Sequence, residues 1–278
     1  MDCVVDLFEK VEPLPTAPTI LPKLLGALHD PDVDLDEVVL LVVHEPALAA
    51  KVLQLCNSAY FGFGTPTADI SEAIYRIGFY NVYRLVVAIC GESSLQIVRP
   101  EWGFDIRGLW KHSVITGLAA EMVAADHGED AGALFTAGLL HDFGKLILAG
   151  AFKSEYGQLL TRAQGDAPGL VHLERTTYHV DHAELGGQLL QRWNFPPALA
   201  ASVRFHHTPE SIVEFERPAA IVGVADSLAH LLLDAKVPEA TGKQHAYKIL
   251  DFSADAQENY LDRLRPMPEL IELMTRLR

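Results

Sequence analysis

The sequence predicts an all-α fold, and three observations carry that expectation. Apolar residues recur at helical spacing through most of the 278 residues, no run alternates with the period of a strand, and no repeat of roughly 20–50 residues is visible. With 49% hydrophobic and 21% charged residues, the chain can bury a substantial core in one or two domains, which excludes disorder of the whole chain.

Taken in order, the first amphipathic helix is expected over 14–28. Leu14-Pro15 and Ile20-Leu21-Pro22 lead into Leu24, Leu25 and Leu28, and Asp30-Pro31 stops it. An apolar run over 36–43 follows, then Pro46, which suits the first turn of a helix reaching about Cys56. Asp69 with Glu72 forms a capping arrangement for a helix that carries Ala73, Ile74 and Ile77 and ends at Gly78. Another apolar helix is expected over 82–97. Arg99-Pro100-Glu101-Trp102-Gly103 then breaks the pattern, which divides the chain into 1–104 and 105–278. In the second part, helices are expected over 107–126, 130–149, 154–164, 182–193, 197–206 and 217–233, with shorter ones beyond Asp255.

Charge narrows the classes of partner. Thirty-seven acidic against 22 basic residues give a net charge of −15 with no Lys/Arg block, which disfavours direct contact with nucleic acid. Uninterrupted apolar runs such as 38–43 and 85–90 fall far short of the roughly 20 residues of a membrane span. Met1-Asp2-Cys3 does not begin a signal peptide, so a cytoplasmic protein without membrane contact is expected. Cys3, Cys56 and Cys90 form no C-x-x-C, and the latter two read as buried thiols. The acidic segment Asp30-Pro31-Asp32-Val33-Asp34-Leu35-Asp36-Glu37 invites a calcium reading. An EF-hand loop, however, needs Gly at its sixth place and Glu at its twelfth, and here those are Leu35 and Leu41. No G-x-S-x-G nucleophile motif is present, and 138–145 has the wrong spacing for a phosphate loop.

The histidines are the informative residues. Composition alone predicts about 0.8 His-Asp pairs by chance, so neither His29-Asp30 nor His141-Asp142 means much alone. The series does. His112, His141-Asp142, His182, His206-His207 and Asp226 follow one another through the second part, all but the last where apolar helical stretches carry them toward a core. Buried polar groups need partners, and imidazoles converging with carboxylates offer ligands for one or two divalent ions such as Fe, Mn or Zn. Asp226 could instead bond Ser202 or His230. His44, His127, His172, His230 and His245 read as surface or locally hydrogen-bonded residues.

Several stretches together resemble the HDOD family, the HD-related output domains of bacterial signalling proteins, within the HD superfamily. They are Leu14-Pro15 through Leu24-Leu25 with Asp30-Pro31-Asp32, Glu45-Pro46-Ala47-Leu48 through Cys56-Asn57-Ser58-Ala59-Tyr60-Phe61-Gly62, and Ser71-Glu72-Ala73-Ile74 with Ile77-Gly78. The likeness continues in His182-Ala183-Glu184-Leu185-Gly186 and Trp193-Asn194-Phe195-Pro196. The resemblance implies an N-terminal helical subdomain packed on an HD-type helical domain.

More distantly, the histidine series is similar to that of the HD-GYP phosphodiesterases, and all seven of their ligand positions are filled here. By that resemblance His112, His141, Asp142 and Asp226 hold one ion, and Asp142, as bridge, holds a second with His182, His206 and His207. Lys145 matches a lysine that faces a substrate phosphate. His179 is a rival to His182, but His-x-x-x-Gly favours the latter. After His207 this chain runs Thr208-Pro209-Glu210-Ser211 in place of glycine-tyrosine-proline, which argues against cyclic di-GMP hydrolysis. The expectation is therefore a regulatory output module with a metal-binding centre and no catalysis, acting on a signalling protein or a small-molecule or nucleotide ligand. The alternative is a metal-dependent phosphohydrolase of nucleotides or cyclic nucleotides.

Overall fold

The computed structural model describes residues 7–11, 25–26, 39–40, 42, 46–58, 60–95, 98–163, 167–233 and 243–275. Every regular element among them is helical, as the apolar spacing predicts. Most of 14–28, the acidic turn at 30–37, Cys3, His29 and His44 lie outside the described residues. The chain forms two compact units, one of residues 18–93 with 267–278 and one of residues 1–17 with 94–266.

In the smaller unit, helix α1 (Pro46–Cys56) packs on α2 (Ile70–Ile77). The connection is fixed by Asn57, whose amide donates to the Thr67 carbonyl (2.8 Å) and accepts from the Thr67 N–H (2.9 Å). Asp69 caps α2 through the Glu72 N–H, while the Glu72 carboxylate turns to Thr67 and Arg76, so only half of a reciprocal capping box forms. Ala73, Ile74 and Ile77 are buried, and Gly78 at φ 79° closes the helix. The chain then bends by 107° into α3 (Phe79–Ser94), where Lys51 of α1 pairs with Glu92 at 2.7 Å. Cys56 is buried, whereas Cys90 is only half-buried.

The larger unit holds α4 (Ile106–Asp126), α5 (Ala131–Leu140), α6 (Phe143–Phe152), α7 (Ser154–Ala163), α8 (Ala167–Tyr178), α9 (His182–Arg192), α10 (Pro197–Arg204), α11 (Glu216–Leu233), α12 (Lys243–Ile249) and α13 (Ala254–Leu264). Thirteen residues of α4 are buried, Trp110 and Leu118 among them, and a helix apolar on nearly all sides belongs in an interior. It packs against α5, α11 and α13, while α10 touches α5, α9 and α11, and α9 lies on α6. Helix α14 (Pro268–Thr275) completes the smaller unit.

Three differences from the sequence reading matter. The helix expected over 130–149 is two helices, broken at His141-Asp142. Helices α8 and α12 occupy segments to which the apolar spacing assigns no helix. The stretch Ala131–Phe152 is long and apolar enough to cross a membrane, although its parts are short, and 83% of its apolar window is buried within the protein. Among the described residues it behaves as a core element, and its break carries His141 and Asp142.

Candidate metal centre

Six helices deliver the histidine series to one place. His112 projects from α4, His141 closes α5, Asp142 opens α6, His182 is the first residue of α9, His206 and His207 follow α10, and Asp226 lies within α11. All are buried except His207, which is half-buried. His179 is exposed at φ 60° and stands apart from the cluster.

Two glycines permit the convergence. A Cβ at Gly144 would lie 1.8 Å from the His182 carbonyl oxygen, so only glycine lets the start of α6 meet the start of α9. A Cβ at Gly223 would lie 2.5 Å from the His206 carbonyl oxygen, so α11 could not approach the His206-His207 turn with any side chain there. Asp142 occupies the N-cap position of α6 with φ −96° and ψ 7°, yet its carboxylate makes no cap hydrogen bond. A cap is worth roughly 1 kcal/mol. Here the carboxylate turns instead to the cluster and to Lys145, whose Nζ donates to Oδ2 at 2.6 Å.

Three imidazoles have their Nδ1 atoms engaged by protein acceptors. His141 Nδ1 meets the Gly138 carbonyl at 2.7 Å, His206 Nδ1 the Val203 carbonyl at 2.6 Å, and His182 Nδ1 the Glu174 carboxylate at 2.6 Å. A carbonyl only accepts, so Nδ1 carries the hydrogen in His141 and His206, and Nε2 faces inward. Asp142 then lies between the two ends of the cluster: Oδ2 is 3.4 Å from His141 Nε2 and 4.0 Å from His112 Nε2, and Oδ1 is 3.4 Å from His182 Nε2. His112 Nε2 sits 3.0 Å from Asp226 Oδ1, and His182 Nε2 sits 2.9 Å from His207 Nε2.

Burial sets the electrostatics. It pushes the His206 imidazole down to about 3, helped by the neighbouring His141 and His182 rings, and drives His207 well below its ordinary value. Burial likewise takes His112 down to about 4, against the pull of Asp226. Burial opposes the charges on Asp142 and Lys145 too. It is outweighed at Asp142 by His141 and Lys145, which hold the carboxyl well below its usual range, and at Lys145 by Asp142, which raises the ammonium.

The donor set fits a divalent ion. His206 Nε2 is buried and has no hydrogen-bond partner among the described residues, an arrangement that is costly unless something else fills the position. The groups His182, His206, His207 and His112, His141, Asp142 each bring three ligand atoms within 4.8 Å of one another. Nδ1 held by a carbonyl or carboxylate, with Nε2 turned into the cluster, is also the orientation that metal-binding histidines adopt.

Two further residues border the cluster, and sequence reasoning missed one of them. His230, read as a surface or locally bonded residue, lies 3.3 Å from Asp226 Oδ1 and forms a third ligand group with His112 and Asp226. Its spacing, one turn after Asp226, already marks it as a partner of that carboxylate. Ser202, the other proposed partner of Asp226, instead donates to the Ala198 carbonyl. Glu174 is fully buried on α8, and no motif marked it.

The family model of the HDOD domain matches residues 14–209. The chain belongs to the HDOD family. An uncharacterised Treponema pallidum protein is 30% identical over 83% of this chain and 44% of its own length. Ribonuclease Y of Geobacillus thermodenitrificans is 24% identical over 72% of this chain and 29% of its own. The HDOD chain thus spans less than half the length of either relative. An HDOD domain protein of unknown function from Geobacter sulfurreducens shares the fold, with a TM-score of 0.78 at 22% identity over 98% of this chain and 96% of its own.

Proposed function

We propose that this HDOD chain is a regulatory output module of the cytoplasm whose cluster holds one or two divalent ions, of Fe, Mn or Zn, without turning over a substrate. His112, His141, Asp142 and Asp226 would hold one ion, and Asp142, His182, His206 and His207 the other. The observation that carries metal binding is the buried Nε2 of His206, which no hydrogen-bonding group among the described residues satisfies. An ion bound there would supply Lewis acidity and a fixed positive charge among buried carboxylates. Metal occupancy would then bias the conformation presented to a signalling protein or to a small-molecule or nucleotide ligand. The run Thr208-Pro209-Glu210-Ser211 after His207, where the HD-GYP phosphodiesterases carry glycine-tyrosine-proline, supports regulation over cyclic di-GMP hydrolysis.

A metal-dependent phosphohydrolase is the second reading, favoured by the filled ligand series and by the likeness to a ribonuclease. The net charge of −15 weighs against nucleic acid as the natural ligand. The test is elemental analysis of protein purified without an affinity-metal step, beside Asp142→Ala, followed by a phosphoester screen of the metal-loaded protein. The regulatory reading expects bound metal that Asp142→Ala loses, and no hydrolysis. Hydrolysis abolished by Asp142→Ala would establish the second reading, and folded wild-type protein without metal would overturn both.

A further inference from the structure

Helix α8 contributes a buried carboxylate that the ligand series does not include. Glu174 Oε2 lies 2.6 Å from His182 Nδ1 and accepts from the His182 backbone N–H at 2.9 Å, while Oε1 accepts from the Tyr156 hydroxyl at 2.5 Å. Every one of these groups is buried. Asp181, beside them, caps α9 through the Glu184 N–H and is held by Arg175 at 2.6 Å, so the first turn of α9 is anchored twice.

We infer that Tyr156 and Glu174 are positioning residues that lock His182 in the tautomer with hydrogen on Nδ1, leaving Nε2 bare toward Asp142 and His207. A carboxylate accepts and cannot donate, so Nδ1 must bring the hydrogen. The Tyr156 hydroxyl occupies the second oxygen, which keeps the carboxylate from rotating away. One consequence extends along the chain of contacts. Two imidazole nitrogens 2.9 Å apart need one hydrogen between them. If His182 Nε2 is bare, that hydrogen sits on His207 Nε2, so His207 must shift it to Nδ1 when it takes a metal through Nε2, while His182 keeps its tautomer. The His182 assignment stands on geometry alone; the His207 shift and the affinity effect rest on the metal-binding reading.

The experiment is two-bond ¹H–¹⁵N correlation of the histidine rings in metal-free protein and after zinc addition, on wild type, Glu174→Gln, Glu174→Ala and Tyr156→Phe. Metal-free wild type should show His182 with hydrogen on Nδ1 and His207 with hydrogen on Nε2, and zinc should change only the latter. Glu174→Gln retains an acceptor but loses the charge, and should keep the tautomer while weakening zinc binding by about 10- to 100-fold. Glu174→Ala should give mixed His182 tautomers, and Tyr156→Phe a smaller loss of affinity than Glu174→Gln. His182 with hydrogen on Nε2 in metal-free wild type would overturn the inference. So would zinc affinity in Glu174→Gln within twofold of wild type. Wild type that binds no zinc yet shows the Nδ1 tautomer would support the positioning role and overturn the metal reading instead.

Discussion

The two ends of the cluster use the same residue type in opposite ways. At one end, His112 and His230 both direct Nε2 at the same oxygen of Asp226, at 3.0 and 3.3 Å. Each imidazole there has a carboxylate to meet, so the arrangement is satisfied by protein alone. At the other end, His182 and His207 face each other, and His206 Nε2 has no hydrogen-bond partner among the described residues. Hydrogen bonding explains the acid end without a ligand, but it does not explain the imidazole end. The lesson is that a filled ligand series is weaker support for metal than an unsatisfied one.

The largest effect should come from the glycine that both ends depend on. Gly144→Ala places a methyl against the His182 backbone, so α6 and α9 must separate. Unfolding in denaturant should show a loss of about 3 kcal/mol, with metal binding weakened at both ends. A near-wild-type midpoint would mean that the close approach is unimportant.

Next, His112→Ala and His206→Ala should separate the two ends in metal-free protein. Both open a cavity, but only the former strips Asp226 of a buried partner, so it should be less stable than His206→Ala by about 1–3 kcal/mol. Equal stabilities would erase the contrast. His230 is 31% exposed at its side chain, so its pairing with Asp226 is partly screened. His230→Ala should cost under about 1 kcal/mol and leave the imidazole end's metal affinity unchanged.

The smallest effect belongs to a pair outside the cluster, Arg263 with Asp126 at the end of α4. Burial would raise the Asp126 carboxyl, but hydrogen bonds from Arg263 and Tyr260 hold it below its ordinary value. A depressed carboxyl stabilises the fold above its unfolded pKa, and the benefit is lost as pH falls through the folded value. After allowance for solvent screening, Asp126→Asn should cost a few tenths of a kcal/mol at pH 7. The difference should vanish in acid below the ordinary carboxylate range, with no change in metal content. A difference that grew on acidification would contradict the sign.

Much of the centre could be read from the sequence because its residues come as dipeptides and turn-spaced pairs in apolar helices. The helix starting at His182 and the C-cap at Gly78 follow from local chemistry. The break at His141-Asp142 was hidden because apolar residues continue through it, and only the packing of α9 against Gly144 shows why the chain must turn there. Helix α8 was hidden by Ala167-Pro168-Gly169, which reads as a loop although proline is tolerated in a first turn. With that helix went Glu174, an ordinary glutamate until α9 is laid beside it. Tertiary approach, not local pattern, brings both Gly144 and Glu174 against His182.

The most direct test is to supply metal-free protein with one equivalent of zinc and locate the ion by anomalous X-ray scattering. His182 and His206 are already aligned with Nε2 bare, whereas His112 and His230 must first give up their contacts with Asp226. The expected result is zinc at His182, His206 and His207. Zinc bound first at His112, Asp226 and His230, or no bound zinc in folded protein, would contradict the conclusion that the imidazole end is built for an ion.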